Sequence, residues 1–67
     1  MVICERIKEL RAEFNMSIEK LAELLECSTR SVYYYERGEQ IPSAFTIIKL
    51  SKIFNVSADY LLGLKDY

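Results

Sequence analysis

The apolar residues of this chain recur at helical spacing along its whole length, and almost nothing interrupts them. Gly38, Gly63 and Pro42 are the only glycines and proline among 67 residues. Hairpin turn signals between alternating runs are missing. The expected fold is all-α: a compact bundle of five short helices, roughly 3–14, 18–25, 29–37, 44–54 and 58–62, in one domain spanning 1–67. LKDY, residues 64–67, is expected as a frayed tail.

In the first helix, Ile3, Ile7, Leu10 and Phe14 form the apolar stripe, while Glu5, Glu9 and Glu13 line an outer, solvated face. Ser17 is a good N-cap for the second helix, whose buried set is expected to be Leu21, Ala22 and Leu25. Ser28 caps the third only a few residues after the second ends. Helices joined so closely meet at a steep angle, the helix-turn-helix arrangement. Gly38 is the C-cap candidate of the third helix. Ile47, Leu50 and Ile53 or Phe54 make the stripe of the fourth, and Ser57 and Gly63 bracket the fifth.

The third helix holds an unusual run, Tyr33-Tyr34-Tyr35. Successive helical residues point about 100° apart, so three rings cannot share one core. With Val32 as the inward reference, Tyr35 lies about 60° away and shares its face, and Glu36 lies about 40° away on the inward flank. The outward sector carries Arg30, Tyr33, Tyr34 and Arg37, with Thr29 at its edge. Rigid rings, phenolic hydroxyls and forked guanidinium donors are what contact surfaces use. The same rings could instead lie over neighbouring apolar surface with their hydroxyls in water.

Composition excludes several classes. The chain has no His and two cysteines, Cys4 and Cys27, so no metal site and no His-based catalysis is expected. The two cysteines form no C-x-x-C pair, and the composition favours two reduced thiols in a cytosolic protein over one disulfide. No phosphate-cradling glycine loop or nucleophile elbow is present, and neither an enzyme nor a cofactor is expected. No apolar run approaches a membrane span and no signal-peptide pattern appears, so the expectation is a soluble, cytoplasmic protein. Nine basic residues against ten acidic ones, net −1, is not the basic excess a nucleic-acid binder usually shows.

The pieces RIKELR (6–11), SIEKLAELLECS (17–28), SVYYYERG (31–38), IPS (41–43) and NVSADYLLG (55–63) stand in a specific order. Together they resemble the lambda repressor-like (Cro/cI-type) helix-turn-helix family of DNA-binding domains, over about residues 5–63. In such proteins the second of two crossed helices lies in the major groove. The resemblance implies base contacts from Thr29, Arg30, Tyr33 and Tyr34, and phosphate contacts from Ser17, Ser28, Arg37 and Gln40. It also implies a structural ion pair between Arg11 and Glu36. Three positions depart from the family pattern. Ile18 stands where Gln commonly contacts phosphate, Glu26 where Gly is common in the turn, and Glu39-Gln40 where the loop is commonly basic. Lys20, Arg30, Arg37, Lys49 and Lys52 are the cations available to compensate.

The resemblance implies a sequence-specific regulator on a double-stranded operator. It would act as a homodimer, with Tyr60, Leu61, Leu64 and Tyr67 as one candidate surface. Leu61 and Leu64 could equally finish the core. The alternative is a protein-interaction module, an antitoxin, antirepressor or co-regulator, that uses the same Arg/Tyr face.

Overall fold

Serine starts four of the five helices. In the computed structural model, which describes residues 1–67, the helices are α1 (Val2–Glu13), α2 (Ile18–Leu25), α3 (Thr29–Arg37), α4 (Ala44–Phe54) and α5 (Ala58–Leu62). Ser17, Ser28, Ser43 and Ser57 hold extended backbone before α2 to α5. Each hydroxyl oxygen accepts the N–H three residues on, at 3.0, 3.2, 3.3 and 3.0 Å respectively. Each such bond satisfies one of the free donors of a helix start, worth about 1 kcal/mol.

Left-handed residues end the helices. Asn15, Glu26, Gly38, Asn55 and Gly63 follow α1 to α5 with φ between 51° and 84°. Gly63 is required twice over, because a Cβ there would lie 2.9 Å from the Val2 side chain. Glu26 is the strained member, since a side chain in this region costs about 1–2 kcal/mol. Lys49 offsets part of that cost, its Nζ standing 3.5 Å from the Glu26 carboxylate and donating to the Leu25 carbonyl at 3.4 Å. Glu26→Gly is therefore expected to raise stability by up to about 1 kcal/mol, because glycine's looser unfolded chain offsets some of the relief. A urea midpoint that falls instead of rising would show the turn to be unstrained.

The core lies where all five helices meet. Ile7, Leu21, Val32, Leu50, Phe54 and Leu61 are its fully buried centre. α1 packs on α3 and α5, α2 on α3 and α4, and α4 on α5. Ala22 is buried in this cluster with Ile18, so the inward face of α2 is one residue wider than Leu21, Ala22 and Leu25.

The structure corrects four expectations. α1 begins at Val2 and stops at Glu13; Phe14 falls outside it and is half exposed, its ring set edge-on against Phe54 with centroids 5.1 Å apart. Cys4 takes the inward place that the stripe did not assign. Leu61, offered as part of a dimer surface, is 0% exposed and belongs to the core. The tail 64–67 is not free: the Arg6 guanidinium donates to the Tyr60 carbonyl and to that of Lys65 at 2.6 Å, and stands 3.7 Å from Asp66. Arg6 also lies over the Tyr60 ring at 4.2 Å, which half-buries that side chain.

Both cysteines are free thiols. Cys27 packs partly buried against the core, and that burial pushes its thiol above the ordinary value. No helix is long and apolar enough to cross a membrane.

Candidate nucleic-acid interface

Three residues, Glu26 to Ser28, join α2 to α3. This tight connection projects α3 from the body of the molecule with one side buried and the other open. Val32, Tyr35 and Glu36 form the buried side. Thr29, Arg30, Tyr33 and Arg37 are exposed, and Tyr34 is half-buried beside them. Tyr34 is thus less open than its outward angle implies, and the Arg37 guanidinium stands 5.7 Å from its ring centroid.

Glu36 turns inward to meet Arg11. Its carboxylate, on a residue only 7% exposed, accepts Arg11 Nε–H at 2.6 Å and Nη2–H at 3.1 Å. The third branch of the fork donates to the Met16 carbonyl at 2.9 Å. One side chain thereby ties the end of α1 to the loop before α2 and to α3. The hydrogen bond to Glu36 raises the pKa of Arg11 further above its ordinary value, against the smaller opposing effect of burial. The pair orients α3 and leaves its outward face free.

The cations of that face differ in availability. Arg30 is exposed and takes part in no ion pair or side-chain hydrogen bond. Arg37 is held: its Nε stands 2.9 Å from a carboxylate oxygen of Glu39. Lys49 is drawn to the end of α2, and Lys20 stands 3.8 Å from Glu23. Lys52 is exposed with no acidic partner. Ser17 and Ser28 use their oxygens as cap acceptors, and the Ser28 hydroxyl also lies 3.2 Å from that of Ser31. Gln40 is exposed just past the end of α3, its main-chain N–H bonded to the Tyr34 carbonyl at 3.3 Å. Ile18 is buried, so this departure from the family pattern serves the core.

Two features escaped the sequence reading. Arg6 clamps the C-terminal segment, a contact across 54 residues that no local pattern signals. Phe45 and Ile48 are exposed at 79% and 50%, on the outer side of α4. Their offset from the Ile47–Leu50–Phe54 stripe was legible, since residues three apart share a helix face. In the C-terminal segment, Leu64 and Tyr67 remain well exposed.

The sequence model of the helix-turn-helix family matches residues 7–61. The chain belongs to the Cro/cI-like helix-turn-helix family. Among its helix-turn-helix relatives is the HTH-type transcriptional regulator ImmR of Bacillus subtilis (strain 168), 38% identical over 94% of this chain and 50% of ImmR. The uncharacterized HTH-type regulator YobD of the same organism is 33% identical over 94% of this chain and 56% of YobD. The chain thus spans about half the length of these curated relatives. Among solved helix-turn-helix structures, the P22 c2 repressor in complex with a synthetic operator superposes with a TM-score of 0.85 at 28% identity, covering 91% of this chain and 92% of that one. The biofilm master regulator SinR in complex with DNA superposes at 0.81 with 34% identity, covering 90% and 97%.

Proposed function

We propose that this chain is the DNA-binding part of a sequence-specific, repressor-like transcriptional regulator, with α3 as the recognition helix in the major groove. The observation that carries the reading is Arg30. It is exposed, unpaired and one residue inside the start of a helix whose opposite side is locked into the core. A forked guanidinium in that place can donate to both N7 and O6 of a guanine. Thr29, Tyr33 and Tyr34 lie beside it for a thymine methyl or a phosphate oxygen. The open N–H groups behind Ser17 and Ser28, with Arg37 and Gln40, suit phosphates. DNA complexes of the P22 c2 repressor and SinR, both similar in fold, support the assignment.

A regulator of this kind works in the cytoplasm and binds as a two-fold homodimer on paired half-sites, because one small domain reads too few bases alone. Selection from a randomised duplex pool is expected to return such a paired motif. Anisotropy titrations should show affinity falling steeply with salt, and Arg30→Ala should cost about 1–3 kcal/mol at one base position. A protein-interaction module is the competing reading, favoured by the net charge of −1. Failure to recover any motif, with binding that is insensitive to Arg30→Ala, would leave that alternative standing.

A further inference from the structure

α3 ends in a turn that fixes more than the chain direction. Gly38 N–H bonds to the Tyr35 carbonyl at 3.3 Å and Glu39 N–H to that of Tyr34 at 2.9 Å, the paired bonds of a Schellman motif. Gly38 supplies the left-handed step, φ 75°. The main chain of Glu39 is therefore held over the last turn of α3, and its carboxylate reaches back to Arg37 Nε at 2.9 Å. The guanidinium so gripped rests over Tyr34. Because the turn already orders the backbone on both sides, little beyond two side chains must be fixed to make the pair.

Arg37 stands seven residues after Arg30. Seven residues at about 100° each return to within about 20° of the same direction, some 10 Å further along the helix axis. The two arginines therefore share one face, one unpaired and one neutralised. We propose that Glu39 lowers the affinity of this face for DNA by occupying Arg37 Nε and offsetting its charge, so that a phosphate meets a guanidinium already paired with an anion. The proposal rests on α3 being the DNA-contacting helix. Its chemical consequence is a phosphate contact made in competition with an internal anion. Glu39 acts here as a positioning residue.

A double-mutant cycle on the selected operator tests this. Glu39→Gln keeps the side-chain size and removes the charge. In the wild-type background it is expected to raise affinity about two- to fivefold, the range of one exposed ion pair. The slope of log affinity against log salt should steepen by about 0.9, one more phosphate neutralised. In an Arg37→Ala background Glu39→Gln should change neither quantity. An equal gain in both backgrounds would mean that Glu39 merely repels the DNA directly, which overturns the proposal. So would no gain in the wild-type background. In either of those cases operator binding itself persists and the functional reading is untouched. A wild-type chain with no salt-dependent operator binding would overturn both.

Discussion

Arg11→Ala is expected to remove about 3–5 kcal/mol of folding stability, the cost of leaving a buried charge without its partner. Glu36 has nowhere to turn: it sits on the inward flank of α3, and its carboxylate takes its hydrogen bonds from Arg11 alone. Arg11 also supplies the donor for the Met16 carbonyl, so the variant frees the entry to α2 as well. At about 0.05–0.15 kcal/mol per residue, a domain of this size holds only some 3–10 kcal/mol in total. That is about a third of the total or more, and urea titration followed by circular dichroism should show a lost or strongly shifted folded baseline. The double variant Arg11→Met with Glu36→Leu is expected to recover much of the loss, because an apolar pair of similar volume replaces a buried ion pair at small cost. A double variant as unstable as Arg11→Ala would mean that the stranded carboxylate is not the cause. On the arginine side the contribution has little pH dependence at working pH. The folded pKa is raised, so the stabilisation is full below the unfolded value and is lost only as pH climbs through the folded one, in strong alkali.

Phe54→Ala is expected to cost about 3–5 kcal/mol. Phe54 is the largest fully buried side chain, and it closes the end of α4 against the centre of the core. Truncation leaves a cavity that the surrounding helices close only in part. Phe14, its edge-on partner, supplies the control. Half exposed, Phe14→Ala forfeits the aromatic contact, about 0.5–1.5 kcal/mol, and part of its buried area. Denaturant midpoints should therefore fall far more for Phe54→Ala than for Phe14→Ala. Equal shifts would place the weight on the ring pair and not on burial.

The residues whose role is local were readable without coordinates. Ser17, Ser28 and Ser57 cap helices through bonds that span three positions, and Gly38 and Gly63 stop them through a backbone freedom carried by the residue itself. Val32 and Tyr35 faced inward by angle alone, and Arg30 and Tyr33 outward. Errors gathered at helix ends, where a stop decides which side chain stays on the buried stripe. Phe14 fits the stripe of α1, yet the helix stops one residue short because Asn15 turns left-handed. Leu61 and Leu64 read as equals three positions apart. Gly63 ends α5 between them, so Leu61 falls under α1 and α4 while Leu64 swings outward.

Periodicity, caps and stops thus determined by themselves the five helices, the short α2–α3 connection and the side of α3 that faces outward, because each is set by groups within a few residues of one another. The tertiary structure decided which outward cations are free. In the sequence Arg30, Arg37 and Lys49 are alike only as cations on helices. Arg37 is engaged because a Schellman turn delivers Glu39 to it, and Lys49 because packing of α4 on α2 brings it to Leu25 and Glu26. Arg30 alone of the three is left open, because no folded segment carries an acid within reach of it. Coulomb attraction between side chains acts over a few ångströms in space, and that distance is a property of the packed helices rather than of the order of residues.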